Sequence, residues 1–380
     1  TKEQRLSLQM DEFMNRRYEF RYNTQIGEVE YRERFSFRFY FHPIDKRAQN
    51  SIMLDAQSEG IGVWDRDIDR YLHSNRVPIY NPLEEFLFHL PHWDGKDRIH
   101  ALANRVPCNN PHWELLFHRW FLNMVSHWRG VNKMYANSTS PILVGAQGTH
   151  KSTFCREMIP PALRAYYTDS IDFSQKRDAE LYLNRFALIN IDEFDQITLP
   201  QQGFLKHILQ KPVVNLRKPH GRSVLELQRY ASFIGTSNQK DLLTDPSGSR
   251  RFICIEVTGN IDTTQPIDYE QLYAQAMHEI HHGERYWFDS EDEQIMTENN
   301  REFEQTPAML QLFYQYFKAA QTKEEGEFLT PVEILNYLKK KSGMSLSDNK
   351  VYHFGRLLQK CGIPSKHTYK GTVYQVIKVL

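Results

Sequence analysis

Pro141-Ile142-Leu143-Val144-Gly145-Ala146-Gln147-Gly148-Thr149-His150-Lys151-Ser152-Thr153-Phe154 reads as an apolar strand, a glycine-bearing loop and the start of a helix carrying Lys-Ser-Thr. Such a unit can cradle phosphate. Backbone N–H groups of Gly145, Gln147, Gly148, Thr149, His150, Lys151, Ser152 and Thr153 and the positive end of the helix face an anion. Lys151 adds a mobile charge, and the Ser152 hydroxyl can ligate nucleotide-bound magnesium. The spacing follows G-x-x-x-x-G-K-[ST] except that His150 stands where glycine precedes the lysine. Histidine keeps the N–H donor but adds a Cβ and an imidazole, which either weakens nucleotide binding or sets the ring against a phosphate. A strand, turn and helix of this composition also arise by chance, so the remaining segments decide the matter.

Downstream, Phe186 to Ile191 is a continuous apolar run, the mark of a strand buried on both faces, and it runs into Asp192-Glu193. Carboxylates at the end of a buried strand, beyond a phosphate loop, suit a magnesium-dependent NTPase. Asp192 is assigned to the metal with Ser152, and Glu193 to the attacking water. The alternative is an acidic strand end capping the next helix. A third apolar run, Ala231 to Ser237, ends at Asn238, whose amide can bond both the water and a terminal phosphate oxygen. The turn Asp245 to Phe252 then presents Arg250 and Arg251 before another strand, 252–257. Guanidinium groups suit the charge on a transferring phosphoryl group, often from a neighbouring subunit; surface ion pairing is the plainer reading.

Between Glu193 and Asn238 lies the most basic part of the chain. Strands over Val213–Leu216 and Ser223–Leu227 flank a tip carrying Arg217, Lys218, His220 and Arg222. A basic-tipped hairpin inside a motor core can reach into a channel and hold a nucleic-acid backbone; a solvated charge cluster is the alternative.

A length of 380 residues points to about two or three domains. A hydrophobic content of 40% describes a globular chain, and no apolar run approaches membrane-spanning length. Cys108, Cys155, Cys254 and Cys361 show no C-x-x-C pairing, which argues against a zinc site or a disulfide framework and fits core thiols in a reducing cytoplasm. With 47 basic and 47 acidic side chains, nucleic-acid affinity must come from local patches. The sixteen histidines include no H-E-x-x-H, and His281-His282 reads as a solvated helix end. The chain starts at Thr1 without a signal-like segment and is expected to be processed or part of something longer.

Residues 16–42 alternate aromatic and charged side chains, including Phe35, Phe37, Phe39 and Phe41, around a turn at Gly27-Glu28, which predicts a hairpin. Short helices follow over 45–75. Trp113, Leu116, Trp120, Met124 and Trp128 predict an amphipathic helix over 112–129 whose aromatic stripe is core. Residues 291–306 read as an acidic linker. Thr330-Pro331-Val332-Glu333 has the form of a capping box, and a second helix begins after Ser347. Along it Val351, Phe354, Leu358 and Cys361 share one face, while Lys350, His353, Arg356 and Lys360 share the other. Two strands joined at Lys370-Gly371 complete a winged-helix pattern, with Lys350 and Arg356 offered to DNA; a solvated face is the competing view.

The co-linear order of Asn81-Pro82, Trp93-Asp94-Gly95-Lys96, the Gly145 to Thr153 loop, Asn190-Ile191-Asp192-Glu193-Phe194, Arg217 to Arg222 and Asp245 to Phe252 resembles the virulence-associated protein E family. The likeness spans about residues 78–260 and departs at His150, where the family commonly has glycine. Its members are P-loop ATPases of phages, plasmids and genomic islands, similar to superfamily 3 helicases and often behind a primase module. The chain's end resembles the C-terminal domain of Bacteroides-type members. The resemblance implies nucleotide and magnesium at Lys151 and Ser152, the Walker B role at Asp192-Glu193, the sensor role at Asn238 and the finger at Arg250 or Arg251.

The expected fold is α/β: an N-terminal α+β region (1–77), a helical region (78–135), an AAA+ parallel-sheet core (136–290), the linker (291–306) and a winged helix (307–380). The expected function is magnesium-dependent ATP hydrolysis coupled to DNA translocation, unwinding or remodelling, in a homo-oligomeric ring in the cytoplasm. Two alternatives are an ATP-binding DNA adaptor with little turnover and a small-molecule P-loop kinase.

Overall fold

The computed structural model describes residues 1–130, 134–217, 224–243, 246–305, 308–320, 325–343, 351–369 and 371–379. The chain divides into two compact units, Thr1–Glu304 and Gln305–Leu380. The first is mixed α/β around a five-stranded parallel sheet. In sheet order its strands are Phe252–Glu256, Ser140–Val144, Ser232–Ser237, Leu188–Ile191 and Tyr167–Thr168. Every residue of the three inner strands is buried. Both faces are covered, which is why these segments read as apolar runs and not as alternating ones. Strand Ser232–Ser237 lies between the strand that leads into Gly145 and the strand that ends at Asp192. The carboxyl ends of all three therefore open onto one crevice, the usual ligand position in an open parallel sheet.

The helix before the sheet is Trp113–Trp128, and it is not amphipathic: 13 of its 16 residues are buried, so it belongs to the core. It packs on the sheet on one side, while helices Arg98–Ala103 and Tyr269–His281 cover the other. Its aromatic stripe is core as read, with Trp128 stacked on Tyr273 and Phe117 beside Phe154.

Within the stretch expected to be a linker, residues 291–303 are folded. Helix Ser290–Asn299 and the 3-10 turn Asn300–Phe303 pack into the first unit. Asn300 is fully buried, and its amide donates to the carbonyls of Ser249 and Phe252, both at 2.7 Å. The acids that suggested a solvated stretch have structural partners instead: Asp289 caps the helix, and Asp292 pairs with Arg119 and Arg285.

At the N-terminus, helices Lys2–Arg17, Lys46–Ser58 and Asp65–Leu72 pack on a four-stranded sheet. Its strands, in order, are His42–Pro43, Glu28–Glu33, Tyr18–Asn23 and Ile79–Tyr80. The predicted hairpin turns at Gly27, whose φ of 72° suits glycine, but its pairing stops at Glu33. Phe35, Phe37 and Phe39 lie beyond it and are exposed.

In the second unit, helices Ala308–Tyr316, Pro331–Ser342 and Val351–Lys360 share a core with strand Gly371–Lys378. Thr330 and Glu333 form the capping box. Ser365–Thr368 pairs with Gly371–Lys378, and two unpredicted short strands, Phe317–Ala319 and Glu327–Leu329, pair with it as well. Cys155 and Cys254 are buried thiols, whereas Cys108 is half-buried and Cys361 exposed, against the expectation of four core cysteines. Among the described residues no helix is long and apolar enough to cross a membrane.

Candidate functional site

A cavity of about 320 Å³ lies at the carboxyl ends of the parallel strands, lined by residues 147–153 together with Asp192, Glu193, Thr236 and Asn238. Gly145 opens the loop. Its N–H donates to the Ser237 carbonyl at 3.0 Å, and a Cβ there would stand 2.9 Å from the Val257 carbonyl oxygen. Only glycine allows the strand to turn this close to its neighbour. Gly148 has φ +85°. His150, with φ 66° and ψ 21°, precedes helix Lys151–Glu157 in the left-handed region. The usual glycine at this place therefore has a backbone reason: the left-handed conformation penalises a Cβ. Among the described residues, the non-glycine positive-φ positions are His150 and Glu193, and both line this cavity.

The Lys151 side chain folds back across the loop. Its ammonium donates to the carbonyls of Gly145 (2.8 Å) and Ala146 (2.7 Å) and to Asn238 Oδ1 (3.2 Å). Burial lowers its pKa, while Asp192, Cys155 and Asp195 pull the other way. An ammonium held by neutral carbonyls in a low-dielectric pocket is poised to exchange them for an anion.

Ser152 Oγ donates to Asp192 Oδ1 at 2.9 Å, and the Thr236 hydroxyl donates to the same oxygen. A hydroxyl and a carboxylate this close are hard oxygen donors of the kind magnesium takes. No group of three or more His, Cys, Asp or Glu among the described residues could hold a metal by itself. These donors therefore fit an ion whose remaining ligands come from phosphate and water, which is how magnesium is commonly held. Glu193, at φ 53° and ψ 51°, kinks the chain directly after the strand, so that consecutive acids both reach the cavity.

Two residues that the sequence reading missed complete the arrangement. Thr236 anchors Asp192. Asp195 Oδ1 accepts from Ser237 Oγ (2.8 Å) and the Asn238 N–H (3.3 Å), fixing the turn that presents Asn238. The available signals were a hydroxyl residue near the end of a buried strand and an acid one short turn beyond the pair.

The other predicted residues lie elsewhere. Arg250 and Arg251 belong to the 3-10 turn Pro246–Arg251 and line a different cavity; Arg250 pairs with Glu293 at 3.1 Å. Arg217 ends strand Val213–Arg217, which pairs with Val224–Gln228. Lys218, His220, Arg222 and Lys350 fall outside the described residues. Arg356 is exposed on helix Val351–Lys360, its guanidinium 4.7 Å from the centre of the Tyr352 ring. Phe354 and Leu358 on that helix are buried.

No curated protein matches the chain. Among solved structures, the apo NrS-1 C-terminal region (305–718) is similar at 11% identity and a TM-score of 0.49, covering 98% of each chain. Two A-form apo structures of that region each have a TM-score of 0.46. One is 11% identical and covers 96% of each chain; the other is 12% identical, covering 98% of this chain and 99% of that one. Residues 306–376 match a domain of unknown function described from B. theta. Residues 87–305 match the virulence-associated protein E-like domain; the chain belongs to that family.

Proposed function

We propose that this chain is a magnesium-dependent P-loop ATPase of the AAA+ kind, similar to superfamily 3 helicases, that couples ATP hydrolysis to translocating, unwinding or remodelling DNA. The observation that carries this reading is the convergence of Lys151, Ser152, Asp192, Glu193 and Asn238 on one cavity beside a glycine-started loop. Loop N–H groups hold the phosphates, and Lys151 leaves the Gly145 and Ala146 carbonyls to pair with phosphate oxygens. Ser152 and Asp192 would hold magnesium, which supplies neutralisation of phosphate charge. Glu193 accepts a proton from water as its oxygen bonds to the terminal phosphorus and the bond to the leaving diphosphate breaks. Asn238, steadied by Asp195, orients that water.

Arg250 and Arg251 share no cavity with this site, so in this reading they meet a triphosphate on a neighbouring copy, which favours a homo-oligomeric ring. The 213–228 hairpin and a C-terminal winged helix carrying Arg356 are the DNA contacts, and family membership favours replication of a phage or other mobile element, with a primase module as partner. A second reading, an ATP-binding DNA adaptor with little turnover, is favoured by the left-handed His150. The test is DNA-stimulated ATP hydrolysis by the chain and by Lys151→Ala. Turnover is expected to fall to background in the variant, and wild-type rates there would reject the site assignment.

A further inference from the structure

A second cavity, of about 580 Å³, lies in the first unit and shares no lining residue with the one beside the Gly145–His150 loop. Its least exposed polar residues are Asn123, on helix Trp113–Trp128, and Thr139, just before strand Ser140–Val144. They are 6% and 3% exposed, and both line the cavity. Neither the amide nor the hydroxyl makes a hydrogen bond to another described residue, although Asn123 uses its backbone carbonyl to accept from Ser126 Oγ. Both groups face the cavity and are open to a ligand there. A ligand edge bearing both donors and acceptors can pair with both, and Asn is a side chain whose amide matches the edge of a base.

The rest of the wall extends the description of that ligand. Trp287 and Tyr135 line the cavity and are 54% and 71% exposed, so large aromatic surfaces border it. Arg250 and Arg251 also line it, and among the described residues the Arg250 guanidinium pairs with Glu293, another lining residue, at the surface. Such a pair gives way readily to a phosphate, which a guanidinium can bind through two parallel hydrogen bonds. Aromatic faces, an amide, a hydroxyl and guanidinium groups around one cavity of ligand size match a phosphorylated heteroaromatic.

We propose that this cavity binds a nucleotide unit, with its base edge on Asn123 and Thr139, its ring against Trp287 and Tyr135, and its phosphate on Arg250 and Arg251. The unit is either a free mononucleotide or one position of a single strand, since the chemistry is common to both. While engaged here, the two arginines cannot serve a neighbouring copy's triphosphate. The inference does not rest on the loop site, because the two cavities have separate walls.

The test uses the full chain carrying Lys151→Ala, which disables the loop site. It is titrated with the four deoxynucleoside monophosphates and with a mixed-sequence single strand of about twelve nucleotides. Saturable binding of a monophosphate identifies a free nucleotide; binding of the strand alone identifies a strand position. In either case Trp287→Ala and Arg250→Ala, added separately, should each weaken binding about tenfold or more with unchanged thermal unfolding, and Trp287→Phe should restore most of it. The proposal is overturned if neither probe binds the Lys151→Ala chain, or if the exposed Arg250→Ala change leaves binding as tight as before. Loss of ATP turnover in the wild type with cavity binding intact would reject the ATPase reading alone.

Discussion

Replacing His150 by glycine should stabilise the protein, even though it deletes a side chain. His150 sits at φ 66° and ψ 21°. Holding an L-residue there costs about 1–2 kcal/mol, because Cβ crowds the following carbonyl oxygen. Glycine removes that cost but returns about 0.5–1 kcal/mol through the larger freedom of the unfolded chain. The net gain is about 0.7 kcal/mol, a rise of about 1 °C in the unfolding midpoint for a unit of this size. Two controls isolate the backbone effect in the same reversible melting experiment. His150→Ala keeps a Cβ at the same φ and should show no gain. Gly148→Ala introduces a Cβ at φ +85° with no heavy atom within 4 Å, so the same two terms with opposite sign should cost about 0.7 kcal/mol net. A His150→Gly protein that melts at or below the wild type would show that the imidazole supplies a stabilising contact and that backbone strain does not dominate.

Three further outcomes test the site and its support. Glu193→Gln should preserve nucleotide affinity while hydrolysis falls to background; retained turnover removes Glu193 from the mechanism. Asp195→Ala releases Ser237 Oγ and the Asn238 N–H, and turnover should drop about tenfold to a hundredfold at unchanged nucleotide affinity. Equal rates would mean that Asn238 needs no such brace. His127 is fully buried with neither ring nitrogen paired, and burial, aided by Arg229, pushes its pKa down to about 3. The unfolded chain takes up that proton near pH 6.5 and the folded chain does not. Stability is therefore complete above about pH 6.5 and falls as the pH drops toward 3, by about 2 kcal/mol at pH 5. His127→Leu should flatten that limb of the denaturant-measured pH profile, and an unchanged limb would place the titration elsewhere.

The chemistry at the strand ends was legible because it is local. A buried parallel strand needs an apolar run on both faces, and the residues that end such a run must reach the surface at one edge of the sheet. Val144-Gly145, Ile191-Asp192 and Ser237-Asn238 each mark that transition, and so three separated segments could be assigned to one crevice. The capping box at Thr330 and the hairpin turn at Gly27 were equally legible, since each depends on residues within a single turn.

What failed to show in the sequence depends on what lies across from a residue. Nothing in the chain near His118 and Phe121 says that a helix from residues 269–281 will pack against Trp113–Trp128. Asp292 looks solvated until Arg119, 173 positions away, is brought beside it. Asp195 and Thr236 acquire their roles only when two strand ends become neighbours.

The amino-acid order by itself determined the parallel α/β core, the loop at Gly145–His150 and the candidate acids, because strand burial and turn chemistry are written in short stretches. Tertiary structure alone decided that His150 and Glu193 take left-handed backbone, that Lys151 rests on its own loop, and that the two arginines face a separate cavity. Those properties arise from contacts between distant segments, and a one-dimensional pattern does not encode which surfaces meet.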